Sequence, residues 1–193
     1  GSIGTASLNI FQKDLKKFKI VLLSANSNYS LIRKQIKIYK PKYFVIKDKT
    51  VFRKIKNKYG KNKVKIYNKF SDINLKKIKF DITISAIVGI AGFEPTIKFI
   101  NHSKKILLAN KETIICGWHI IKNISKNNKS EIVPVDSEHF SINQLTKNFK
   151  DKDIEKIYIT ASGGPFLNKS LKSFKNIKPT DAAKHPKWKM GKK

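Results

Sequence analysis

The sequence predicts an α/β fold built on a parallel sheet with helices on both faces. Apolar runs of strand length alternate with amphipathic segments of helical period, and the runs are continuous rather than alternating with polar residues. Strands buried on both faces need no polar side, so continuous runs mark a parallel sheet with helical crossovers. In such sheets ligands bind beyond the carboxyl ends of the strands, so the residues that follow each run are the first candidates for function.

Taken in order, residues 18–25 (FKIVLLSA) predict a buried strand. Residues 30–39 carry Leu31, Ile32, Ile36 and Ile38 at near-helical spacing, and Pro41 stops that helix. A short strand follows at 43–46, a helix at 51–59 and a strand at 64–67. Residues 80–87 (FDITISAI) predict another buried strand, which runs into the glycine-punctuated loop 88–92. Residues 94–101 form a helix with Pro95 in its first turn, where the missing N–H has no helical partner to lose. Then come a strand at 105–109 (KILLA), a helix at 111–125, and strands at 131–135 and 156–160 (KIYIT). The chain opens on Gly1-Ser2-Ile3-Gly4, a glycine turn into a helix.

Composition narrows the function classes. One cysteine, Cys116, excludes a disulfide framework and a cysteine zinc cluster, and reads as a small core residue in its helix. No apolar run reaches the roughly 18 residues a membrane span needs. A formal net charge of +29 raises the question of nucleic acid. Only Arg33 and Arg53 are arginines, however, and the lysines are spread along the whole chain with abundant Ile and Asn. Readers of phosphates and base edges favour the arginine fork, so the charge fits compositional drift better than a selected surface. Weak, salt-sensitive polyanion binding follows either way.

Pro134-Val135-Asp136-Ser137-Glu138-His139 ends one of the apolar runs and is the most informative stretch. On an extended chain side chains alternate, so Asp136 and Glu138 are expected to point the same way. Two like charges on one face repel unless a cation sits between them or one keeps its proton. Oxygen donors of this kind suit Mg²⁺ or Mn²⁺. A solvated acidic turn is the other reading of the same residues.

The segments GSIGTASLNI, AIVGIAGFEPT, LLANKET, VPVDSEH, SGGPF and HPKWKMGKK occur in this order from Gly1 to Lys193. Together they resemble the 1-deoxy-D-xylulose 5-phosphate reductoisomerase family. The resemblance implies a Rossmann-like parallel-sheet NADPH domain, expected at 1–126 with its first strand missing. The start of an α/β catalytic domain follows at 127–193. On this reading the chain is a fragment with little turnover of its own, since the family's third metal-binding Glu, further phosphate-binding residues and helical domain are expected beyond Lys193.

By the same resemblance Gly1, Ser2 and Ile3 lie against the dinucleotide pyrophosphate, where backbone N–H groups at a helix start suit an anion. Asn26, Ser27 and Asn28 occupy the place where the family meets the adenosine 2′-phosphate. They bring hydrogen bonds but no charge. Asn110, Glu112 and Gly191 approach the cofactor, and Lys111 approaches substrate oxygens. Asp136 and Glu138 are the implied metal ligands, with Ser137 and Glu138 also on the substrate. Ser162 in a Ser-Gly-Gly-Pro turn and His185 meet the substrate phosphate, and Trp188 covers the site as part of a flap. His139 is given no ligand role and is expected to hydrogen-bond nearby.

The expected activity is NADPH- and Mg²⁺- or Mn²⁺-dependent isomerisation and reduction of 1-deoxy-D-xylulose 5-phosphate to 2-C-methyl-D-erythritol 4-phosphate, in non-mevalonate isoprenoid synthesis. A cytoplasmic homodimer without membrane or specific nucleic-acid partners is expected with it. The competing readings are a metal-independent NAD(P) dehydrogenase and a basic nucleic-acid-binding module.

Overall fold

The computed structural model describes residues 1–61, 63–76, 78–159, 163–182 and 184. It divides into two compact units, Gly1–Leu145 and Thr146–Lys193. In the first, a helix α1 (Ser2–Gln12) precedes the βαβ series β1 (Leu22–Ala25), α2 (Tyr29–Tyr39), β2 (Tyr43–Ile46), α3 (Lys49–Tyr59) and β3 (Lys65–Tyr67). A second series follows: β4 (Phe80–Ser85), α4 (Phe93–Ile100), β5 (Ser103–Leu108), α5 (Lys111–Asn128), β6 (Glu131–Pro134) and α6 (Ser137–Thr146). Every strand pair is parallel, in the orders β1-β2-β3 and β4-β5-β6. The α/β class and the parallel pairing are therefore as the sequence predicts.

Each helix start has a local cause. The Asn28 side chain accepts from the Leu31 N–H at 3.0 Å to open α2, and Asp48 does the same for Val51 at 2.7 Å to open α3. Lys40 ends α2 in the left-handed region (φ 43°), one residue before Pro41. Ile32 and Ile36 on α2 and Ile55 and Tyr59 on α3 pack with Phe44, Ile46 and Ile66 in one core cluster. A second cluster joins Tyr43 and Val45 of β2 to Phe80, Phe99, Ile106, Leu108 and Ile121, so apolar packing links the two strand series. Fully burying one such Ile or Phe is worth about 1.5–3 kcal/mol, which is why these short strands hold. The Tyr39 hydroxyl ties α1 to α2, donating to the Leu8 carbonyl at 3.1 Å.

Several expectations need correction. The first strand begins at Leu22 rather than 18, because Phe18 stands exposed and unpaired ahead of it. Residues 156–159 form no strand: Ile157, Tyr158 and Ile159 are exposed, and an apolar run becomes a strand only where another backbone pairs with it. Cys116 is exposed on α5 rather than in the core. Most consequentially, the chain after β6 turns at once into α6, so Asp136 and Glu138 are not neighbours on an extended segment.

The second unit contains short 3₁₀ turns (Asp151–Asp153 and Leu171–Asn176) and the helix α7 (Pro179–Ala182). Phe166 and Phe174 pack at 5.9 Å between ring centres, and Gly163 takes φ 75° in the glycine turn.

Candidate active site

Strand register sets the site. Ser85 pairs with Leu108 and Leu108 with Pro134, so β4, β5 and β6 end level with one another. The ladder continues one residue further, with Ala109 N–H donating to Ser85 O at 2.9 Å and Val135 N–H to Leu108 O at 3.0 Å. Asn110 and Asp136 thus each lie two residues beyond the paired Leu108 and Pro134, at the carboxyl ends of adjacent strands. The polar segment Asn26, Ser27 and Asn28 leaves the carboxyl end of β1 and is exposed. Gly1, Ser2 and Ile3 are exposed at the start of α1.

Asn110 is buried, and its amide is spent inside the fold. Its Oδ1 accepts from the Thr113 N–H at 3.1 Å and caps α5, while Nδ2 donates to the Ile87 carbonyl and, at 2.9 Å, to Gly89 O. One side chain thus fixes the loop after β4 to the start of the helix bearing Lys111 and Glu112. Gly89 enters that loop at φ 73°, which favours glycine. Lys111 is exposed and Glu112 half-buried in the first turn of α5.

Asp136 caps α6: its Oδ1 accepts from the His139 N–H at 3.0 Å and from His139 Nδ1 at 2.8 Å. Its side chain is 11 % exposed, and Oδ2 is buried without a hydrogen-bond partner. Burial pushes this carboxyl up, but the His139 backbone N–H, ring and charge together outweigh it and hold Asp136 below the ordinary carboxylate value. A buried anionic oxygen lacking a donor has the chemistry of a cation ligand. Glu138 stands exposed one residue into α6, with Ser137 Oγ 3.4 Å from Oε2. These two carboxylates fit a divalent ion as a partial ligand set. Among the described residues no group of three or more His, Cys, Asp and Glu could hold a metal.

His139 makes the nearby hydrogen bond expected of it, and what sequence reasoning did not identify is that its partner is Asp136. The signal was present, since an Asp just before a segment that can turn helical is an N-cap. Ser162, His185, Trp188 and Gly191 lie outside the described residues.

A family model described as 1-deoxy-D-xylulose 5-phosphate reductoisomerase matches residues 1–117. The chain belongs to the 1-deoxy-D-xylulose 5-phosphate reductoisomerase family. A second model, for that family's C-terminal domain, matches residues 132–193. Similar curated reductoisomerases come from Pelagibacter ubique (50 % identical) and Clostridium novyi (44 %), each matched over all of this chain. The chain spans 50 % of the first and 51 % of the second, about half their length. A solved family structure in complex with NADPH, fosmidomycin and magnesium is 28 % identical with a TM-score of 0.79, covering 99 % of this chain and 50 % of its own. The Zymomonas mobilis family member in complex with NADPH is 29 % identical with a TM-score of 0.82, covering 96 % and 49 %.

Proposed function

We propose that the protein to which this chain belongs converts 1-deoxy-D-xylulose 5-phosphate to 2-C-methyl-D-erythritol 4-phosphate with NADPH and a divalent metal ion. The observation that carries the reading is the buried, unpartnered Oδ2 of Asp136, two residues before Glu138 and just past the end of β6, which pairs with the strand leading into Lys111. Family membership supports it, as does the likeness to relatives solved with NADPH and magnesium.

The overall change breaks and remakes a C–C bond beside a carbonyl, then reduces an aldehyde. When bound, Mg²⁺ or Mn²⁺ supplies Lewis acidity and a template for two substrate oxygens, and NADPH supplies the hydride. The chain's own residues do the rest. Asp136 and Glu138 present carboxylate oxygens to the ion, and Ser137 offers a hydroxyl to the substrate. Lys111 places a positive charge where a substrate oxygen gains electron density. Gly1, Ser2 and Ile3 offer free N–H groups to the pyrophosphate, and Asn26, Ser27 and Asn28 meet the adenosine end. Asn110 ties the 87–89 loop to the start of the helix that bears Lys111 and Glu112. Ser162 and His185 are assigned to the substrate phosphate, Trp188 to covering the site and Gly191 to the cofactor.

In this scheme residues 1–126 serve the cofactor and 127–193 begin the catalytic part, a division of roles rather than of packing. Among the described residues no helix is long and apolar enough to cross a membrane. A cytoplasmic homodimer is the proposed setting.

The test uses the full-length protein, the substrate and NADPH, following NADPH consumption. Chelation by EDTA should abolish turnover, Mg²⁺ or Mn²⁺ should restore it, and Asp136→Asn should lower kcat by at least about 10²-fold. Turnover that survives both treatments supports a metal-independent dehydrogenase instead.

A further inference from the structure

His139 is not needed to complete the scheme above, yet it makes the shortest contact to Asp136. Its ring Nδ1 stands 2.8 Å from Oδ1, and its backbone N–H reaches the same oxygen at 3.0 Å. An ionised carboxylate only accepts, so the nitrogen facing Oδ1 carries the hydrogen. The Asp136 carbonyl also accepts from the Phe140 N–H at 3.0 Å, so backbone and side chain of Asp136 are both gripped by the first turn of α6. The ring is 51 % exposed, so packing does not lock its rotamer and the contact to Asp136 does. Two donors on Oδ1 and none on Oδ2 make the carboxylate asymmetric.

We propose that His139 is a positioning residue for the metal site: it occupies Oδ1 of Asp136 and thereby fixes Oδ2 as the oxygen turned to the divalent cation. This deepens the metal-dependent reading and rests on it. A ligand held in one orientation loses no rotational freedom on binding, and removing such an orienting partner costs about 10–100-fold in metal affinity. The role is separate from chemistry on the substrate, so it is visible without turnover.

The experiment measures Mn²⁺ binding to the full-length protein from the electron paramagnetic resonance of the free ion, with neither substrate nor NADPH present. His139→Ala removes the ring donor. His139→Asn keeps an N–H close to where Nδ1 stands, and His139→Gln moves it one methylene outward. The expected result is a Kd raised about 10–100-fold in the Ala and Gln variants and close to the parent in the Asn variant. Should the Ala variant fail to fold, the Asn–Gln pair carries the comparison. Parent-like affinity in Ala or Gln, or an Asn variant as weak as they are, overturns the positioning role. Asp136→Asn separates the two layers of argument. Unchanged Mn²⁺ affinity in that variant sinks the metal reading itself, whereas lost affinity there with parent-like His139 variants sinks only the inference about His139.

Discussion

Replacing Gly92 by Ala tests whether the loop after β4 is locked by close packing. Gly92 has φ −83° and ψ −14°, an ordinary right-handed conformation open to any residue. At such a position alanine normally stabilises by about 0.4–1 kcal/mol, through the unfolded chain. Here a Cβ would overlap Asn110 Nδ2 and stand 2.5 Å from the Ile87 carbonyl oxygen. The backbone oxygen cannot step aside cheaply, and the Asn110 amide is held by Ile87 O, Gly89 O and the Thr113 N–H. Overpacking costs about 1–3 kcal/mol, and each hydrogen bond lost as the amide moves costs about 1 kcal/mol. With one or two bonds lost, Gly92→Ala should destabilise by about 2–5 kcal/mol. Urea unfolding followed by circular dichroism reads this as a lower midpoint at constant slope. In an Asn110→Ala background the added cost should shrink by about 1 kcal/mol or more, since the displaced amide is gone. A neutral or stabilising Gly92→Ala, or equal penalties in both backgrounds, would refute the reasoning.

Further outcomes follow from the same geometry. Gly117→Ala on α5 would drive a Cβ into the Phe93 ring and should cost about 1–3 kcal/mol in the same assay, recovered in part by Phe93→Leu. Asp48→Ala removes the cap of α3 and should cost about 1 kcal/mol, whereas Asp48→Asn should cost less. Burial, with Lys79 and Lys98 adding to it, lowers the His102 pKa despite the Ile78 backbone contact. A base depressed in the folded state contributes stability that is complete above its unfolded value near 6.5 and is lost as pH falls through the folded one. His102→Gln should therefore flatten the decline in stability between about pH 7.5 and 5.5, seen in urea midpoints across that range. The charge of +29 predicts heparin retention that collapses with added salt, checked by elution against NaCl.

The parallel fold was legible because its signals are redundant. Residues 43–46 form a strand as the sequence predicts, since four apolar residues buried on both faces admit few alternatives. Caps announce themselves too: Asn28 and Asp48 open the helices that follow them. Which apolar runs find a partner strand was not legible. Residues 156–159 have strand composition but no ladder, because composition reports capacity and not the presence of a neighbouring backbone. The residue types of the acidic motif are legible in the sequence, and its geometry is not. Extended alternation and a helix cap are both open to Asp136 until the strand end is fixed, and the structure takes the cap. Asn110 shows the converse, for its position was legible while its use as a clamp depends on a loop folding back from residue 87.

The common direction of the strands has an electrostatic consequence. Helices follow β1, β2, β4, β5 and β6, so each begins at the same rim of its sheet. Each helix start carries roughly half a positive charge from its aligned peptides, and these fields add to that of the lysines. Such a rim draws in dianions without needing dedicated basic side chains, and by the same token it repels a free divalent ion. Asp136 and Glu138 oppose that field locally, and removing the opposition would take neutralising both.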